Sequence, residues 1–208
     1  MPRDKTATQK KLYDCMKAEF LEKGYEKASL NHIARECGIT PAAVYRHFES
    51  KEAMFEALVS PVWQQFNKIG EAYMERELAD ITKEHISQHF SGDGRQWLTI
   101  MLDMIYTYFD EFKLLACCSK GTKFEDFDDR LIRMEEETTK DLIAALNKAG
   151  VSEASCSDTQ IHIICTAYIE ALLEIVRHNV PREQATEQLE FIYLFFHNAW
   201  KNVLDIKM

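Results

Sequence analysis

Glycine and proline are scarce in this chain, at 7 and 4 of 208 residues. A fold of many short strands needs frequent turns, and turns lean on those two residues, so the shortage argues against an all-β architecture and for long helices. No run approaches the roughly 18–20 uninterrupted apolar residues of a membrane span. The N-terminal MPRDKTATQKK is polar and has no apolar signal core, which sets the expectation of a cytoplasmic protein with no membrane partner. The six cysteines (Cys15, Cys37, Cys117, Cys118, Cys156 and Cys165) include no C-x-x-C pair, so neither a zinc site nor a thioredoxin-type motif is expected. Also missing are G-x-x-x-x-G-K, H-E-x-x-H and G-x-S-x-G. These gaps point away from an enzyme and leave no cofactor to name.

What is present begins with charge. The chain carries a net charge of −9, which taken whole argues against a nucleic-acid partner. The charge is uneven, however. Residues 1–51 hold 10 Lys and Arg against 7 acids, and the remainder holds 15 against 27. A mildly basic head on an acidic body suits a small anion-binding module joined to something else.

Hydrophobic periodicity then lays out an all-α chain of about nine helices. Leu12, Cys15, Met16, Phe20 and Leu21 recur at spacings of three and four, an amphipathic helix over 7–23 that Gly24 is expected to stop in the left-handed conformation. Ser29 can cap a second helix, LNHIARECG, closed by Gly38. Thr40 caps a third, with Pro41 at its first position, where a missing N–H costs nothing. Ser50 caps a fourth, with Glu52 in its first turn and an expected kink at Pro61. Residues 68–90 are mixed and charged, and SGDG (91–94) breaks the chain. Trp97–Phe109 is apolar almost all round, as in a buried helix. SKGTKF is another break. Asp126–Ala149 reads as a charged amphipathic helix ending at Gly150, SEASCSD as a loop, Asp158 as the cap of an apolar helix, and Pro181 as the start of the last. The expected domains are a head, residues 1–49, and a body, residues 50–208.

The second and third helices are separated only by Gly38-Ile39-Thr40, the spacing of a helix-turn-helix. In that arrangement the second helix enters the major groove and its first turns face base edges. Ala42 and Ala43 let the backbone approach closely and offer methyls to thymine. Tyr45 can donate its hydroxyl to a phosphate, Arg46 can contact guanine or the backbone, and His47 can do either more weakly. Lys51 would set a cation beside the strand. An ordinary helical hairpin is the alternative at this stage, since Val44 and Phe48 face the core in either case.

Beyond these residues, Lys10 to Val59 resembles the N-terminal domain of the TetR family of transcriptional repressors. The resemblance lies in the KGYE turn, the IA of the second helix, the CGIT turn, YRHF and SKEAMF. It implies phosphate contacts from Ser29, Tyr45, His47 and Lys51, and base or groove contacts from Thr40, Pro41, Ala42, Ala43 and Arg46. Pro41 departs from the pattern, because that position is often polar or basic in such proteins. The resemblance further implies a homodimer on a palindromic double-stranded DNA operator, joined through the last two helices, about 158–178 and 181–204. Ile161, Ile164, Tyr168, Leu172 and Ile175 on one helix, with Phe191, Leu194, Phe195 and Trp200 on the other, make each too apolar for a single buried face.

A TetR-like body would also enclose an apolar cavity for a small-molecule effector. The expected lining is Trp97, Met101, Met104, Ile105 and Tyr108, with Phe124, Phe127, Cys165 and Tyr168 opposite, and Asp103, His162, Thr166 and Glu170 as polar groups. The same residues at helical spacing also suit plain core. His85 and His89, four apart, lack a convincing third metal ligand, and the adjacent Cys117 and Cys118 cannot easily form an unstrained disulfide with each other. The reading is a ligand-responsive repressor; the alternative is a helical small-molecule-binding protein without specific DNA recognition.

Overall fold

Apolar positions repeating every three to four residues give helices wherever the structure can be described. That structure is a computed structural model describing residues 5–79 and 95–204. Among the described residues there are nine helices and no strand: α1 (Lys5–Lys27), α2 (Leu30–Cys37), α3 (Pro41–Tyr45), α4 (Lys51–Ala79), α5 (Arg95–Thr107), α6 (Phe109–Cys118), α7 (Phe127–Lys148), α8 (Asp158–Arg177) and α9 (Arg182–Val203). SGDG, His85 and His89 lie outside the described residues.

The chain divides into two compact units, one of residues 1–65 and 108–127, the other of residues 66–107 and 128–208. The core of the first is the buried stripe of α1 (Leu12, Met16, Phe20) against Ile33 and Ala34 of α2, Val44 of α3, and Met54 and Phe55 of α4. Phe20, Tyr25 and Phe55 form an aromatic cluster, with ring centroids 5.3–6.0 Å apart. Helix α6 completes this unit, burying Phe112, Leu114 and Leu115, and Lys17 of α1 reaches Glu111 at 2.5 Å.

In the second unit, Leu102 of α5, Ile175 of α8, and Ala185 and Leu189 of α9 form one buried cluster. Tyr106 Oη donates to Val180 O at 2.5 Å beside it. A second cluster joins Leu146, Val151 and Leu204. Arg177 closes the far end of α8 by donating to Asp128 and Glu170, both at 2.5 Å, and to Glu174 at 3.1 Å. Burial first, and these three acceptors against it, govern Arg177, whose net shift is upward.

Several local expectations are revised. Gly24 has φ 72° but ψ 164°, so it bends α1 sharply without a left-handed stop. One further turn follows, closed by Ala28 N–H donating to Gly24 O at 3.1 Å, and it brings Tyr25 onto the Phe20–Phe55 rings. The Trp97–Phe109 helix breaks at Tyr108 (φ −124°, ψ 39°). Just before the break, Thr107 Oγ1 donates back to Asp103 O at 2.6 Å, the kind of side-chain bond that competes with helix continuation. Nor is that helix buried all round: Leu98, Leu102 and Met104 face inward while Thr99, Asp103 and Thr107 are exposed. The cap of α8 is Ser157 rather than Asp158. Ser157 Oγ accepts from Gln160 N–H, and Gln160 Oε1 accepts from Ser157 N–H at 2.8 Å, a full capping box that leaves Asp158 to oppose the dipole from the first turn. By length and composition α8 would suffice to cross a bilayer, but its buried stripe (Ile161, Cys165, Ile169, Leu173) and Arg177 tie it into the second unit.

Candidate functional site

The helix-turn-helix is built by side chains that satisfy helix ends. Ser29, extended at φ −116°, ψ 121°, caps α2 by accepting from His32 N–H. Buried Glu19 of α1 holds that cap in place: it accepts from Ser29 N–H at 2.9 Å and lies 2.6 Å from His32 Nδ1. At the other end of α2, Gly38 sits at φ 69°, ψ 33°, where a side chain would be strained. Gly38 N–H donates to Arg35 O and Ile39 N–H to Ala34 O, both at 3.0 Å, which is the Schellman pattern. Lys11 reaches across from α1 to donate to Cys37 O at 2.9 Å.

Thr40 then caps α3, its Oγ1 accepting from Ala43 N–H at 3.2 Å, and Pro41 follows at the first helical position. Val44 is fully buried and fixes the rotation of α3. With Val44 inward, Pro41, Ala42, Tyr45, Arg46 and His47 all point to solvent, Tyr45 with 55% of its surface open, and Ala43 is half-buried. Phe48 packs edge-on to Tyr13 at 5.9 Å. The helix therefore presents small residues first and an aromatic, a cation and an imidazole next, all on an open face.

Lys51 is placed differently from the other DNA-facing candidates. Its ammonium donates to Tyr25 O at 2.8 Å, Glu26 O at 3.1 Å and Ala28 O at 3.4 Å, and lies 4.5 Å from the centre of the Tyr25 ring. All three of its protons are spent on the end of α1, so Lys51 first of all fastens the start of α4 to the α1–α2 junction.

The thirteen effector candidates divide between the two units. Tyr108, Phe124 and Phe127 belong to the first, where Phe124 lies against Phe55 and Phe127 is edge-on to Trp63 at 5.4 Å. The other ten belong to the second. Trp97 stacks on Tyr73 at 4.5 Å, Met101 is half-buried and Met104 is buried. His162 is exposed, 2.6 Å from Glu136. Cys165 is buried 3.7 Å from Thr139 Oγ1, the Thr166 hydroxyl is buried without a hydrogen-bond partner among the described residues, and Tyr168 lies edge-on to Phe196 at 5.1 Å. Burial pushes the Cys165 thiol up to about 11.

Two acids that matter here were absent from the sequence reading. Glu19 and Glu135 each sit on an apolar stripe, between Met16 and Phe20 and between Ile132 and Thr139 respectively. A charge at a core register position is the signal that would have found both. Burial alone holds the Glu135 carboxyl up at about 7.

The family model described as bacterial regulatory proteins, tetR family, matches residues 17–58, the segment from α1 into α4 that contains this whole arrangement. The HTH-type transcriptional regulator UidR of Escherichia coli (strain K12) is 32% identical over 59 residues, 28% of this chain and 30% of UidR. The nucleoid occlusion factor SlmA of Mannheimia succiniciproducens is 46% identical over 41 residues, 20% of this chain and 19% of that protein. The chain thus matches less than a third of the length of either relative. Over the full length the likeness is one of fold: the TetR family transcriptional regulator CifR, solved as a cysteine mutant with double-strand operator DNA, superposes at TM-score 0.53 and 18% identity, covering 96% of this chain and 98% of that one. Residues 17–58 thus match the tetR family of bacterial regulatory proteins, and over its full length the chain shares the fold of a TetR family regulator.

Proposed function

We propose that the chain is a dimeric, ligand-responsive transcriptional regulator that represses from a palindromic operator and leaves it when a small-molecule effector binds. It works without catalysis, in the cytoplasm. The observation that carries this reading is the open surface at the end of α3: Tyr45, the last residue of a helix whose rotation Val44 fixes, and Arg46 and His47 in the turn after it stand exposed in succession. Residues 1–49 serve as the DNA-binding module, with Ala42 and Ala43 against base edges and Tyr45 and His47 at phosphates. The net charge of −9 is no obstacle, because the head is basic where the body is acidic.

A single α3 reads only a few base pairs, so two copies are needed for a specific site. What supports dimerisation through α8 and α9 is their outward apolar surface: Ile163 and Ile164 on α8, and Phe191, Leu194, Phe195 and Val203 on α9, are exposed. Ile161 and Ile175, grouped with that face in the sequence, turn inward to the subunit's own core instead. Induction is then a population shift, in which the effector binds the low-affinity conformation better.

Selection of the full-length chain on a random duplex pool, with Tyr45→Ala and Arg46→Ala alongside, tests the reading. A palindrome recovered by the wild type and lost by both variants is expected, with affinity falling steeply in salt. No enrichment by the wild type at low salt would overturn it in favour of a ligand-binding protein without DNA recognition. Lys51→Ala is a poor probe, because its loss also uncaps three carbonyls.

A further inference from the structure

Helices α2 and α8 open on the same serine cap, but only α8 completes its capping box from its own sequence. There Gln160, three residues after Ser157, returns the bond by accepting from Ser157 N–H. The residue three after Ser29 is His32, and its ring turns to α1, with Nδ1 2.6 Å from Glu19 Oε2. The missing return bond comes from α1 as well: Glu19 Oε1 accepts from Ser29 N–H at 2.9 Å. One carboxylate, its side chain only 4% exposed, thus serves both ends of the box.

The far end of α2 is also tied to α1. Lys11 Nζ donates to Cys37 O at 2.9 Å, and Cys37 Sγ donates to Lys11 O at 3.5 Å. Lys11 and Glu19 are eight positions apart, as are Ser29 and Cys37, which is about 12 Å of helix in each case. Two anchors at matched spacing fix the direction of a rod, whereas one leaves a pivot. The burial of Ile33 and Ala34 between them is non-directional, so it adds strength without setting the angle. Across the tight Gly38 turn, α2 in turn aims α3.

We propose that Glu19 is a positioning residue for operator recognition: it completes the α2 capping box from α1 and so aims α3 through α2. This rests on reading α3 as the DNA-reading helix. Glu19 is buried in the head and acts only through Ser29 and His32. The role differs from capping alone. A cap completed by a neighbour on α2 would stabilise that helix as well, but would leave its direction to the single anchor at Lys11.

The test moves the box onto α2. In the full chain, Glu19→Leu removes the anchor, and adding His32→Gln rebuilds the local box that α8 uses. His32→Gln alone is the baseline for loss of the imidazole. The readouts are the urea midpoint, affinity for the duplex that the wild type selects, and the amide resonances of residues 40–45. Glu19→Leu is expected to lower the midpoint and, in buffer where it remains folded, to weaken duplex binding about tenfold, the weight of one base contact. Removing an acid favours DNA electrostatically, so such a loss is not a charge effect. The double variant should regain the midpoint of His32→Gln but neither its affinity nor its α3 resonances. If Glu19→Leu does not fold, the double variant against His32→Gln decides the matter. Wild-type affinity and resonances in Glu19→Leu, or a double variant that matches His32→Gln in all three readouts, would overturn the proposal. A wild type that selects no duplex refutes the regulator reading, and the resonances still decide whether Glu19 aims α3.

Discussion

Glu135 and Glu19 are both glutamates on the buried face of a helix, and their surroundings give them opposite roles. Glu19 has partners: two donors from the start of α2 reach it, and Glu19→Ala leaves Ser29 N–H without its acceptor. Loss of these charge-assisted bonds is expected to cost about 2–3 kcal/mol in urea unfolding. At Glu135 burial alone raises the carboxyl from an ordinary 4.5 to about 7. Between those values the folded chain holds a proton that the unfolded chain has released, so the cost of ionising Glu135 grows as pH rises through the window and is complete above it. Glu135→Gln should therefore stabilise the ligand-free protein by about 3 kcal/mol near pH 8 and leave it unchanged near pH 4. Equal urea midpoints for variant and wild type across that range would show that the carboxyl is solvated after all. The sequence analysis singled out neither glutamate, and periodicity alone cannot supply their partners, because a partner such as the Ser29 amide arrives from another helix through tertiary packing.

At the scale of elements, helix ends with local chemistry were the most legible in the sequence. Ser29, Gly38, Thr40 and Pro41 each act as their residue type dictates, since a cap needs only neighbours within four residues. Gly38→Ala offers a clean test of the turn. A Cβ there would meet nothing nearer than Lys11 Nζ at 3.9 Å, so only the left-handed backbone (φ 69°) opposes it. The expected loss is about 1 kcal/mol. Because the turn sets α3 relative to α2, operator affinity should fall further than stability alone accounts for, read by comparing unfolding midpoints with duplex titration. Less legible were breaks decided by competition. At Gly24 packing of Tyr25 on the aromatic cluster draws out an extra turn, at Tyr108 a threonine bond disfavours continuation, and at Ser157 the reciprocal bond to Gln160 takes the cap from Asp158. In each case the sequence offers two local solutions: at Gly24 packing against distant rings selects one, and at Tyr108 and Ser157 a side-chain bond three or four residues away does so.

At the scale of the whole molecule, the apolar surface on α8 and α9 bears on how many copies act together. Phe191 and Phe195 expose 68% and 63% of their surface, Ile163 exposes 57% and Val203 55%. Phe191 and Phe195 are one turn apart on α9, and Val203 continues the same side two turns on, so the apolar residues form a stripe and not isolated exposures. A second copy of the same stripe would cover it with a two-fold interface, self-complementary by symmetry. Replacing both aromatics, as Phe191→Glu with Phe195→Glu, sets four like charges in such an interface while leaving the buried Ala185 and Leu189 of α9 untouched. The expected outcome is a folded monomer, shown by unchanged helical circular dichroism and a halved mass in sedimentation velocity at micromolar concentration. DNA binding should follow the mass. The wild type should hold a full palindrome, while the double variant, with an intact α3 but no partner, should bind half-sites and full sites alike, with a shallower dependence on salt because fewer phosphates are engaged. A double variant that keeps the wild-type mass would place the interface elsewhere. One that becomes monomeric yet still discriminates a palindrome from its half would show that α3 does not read its operator in pairs.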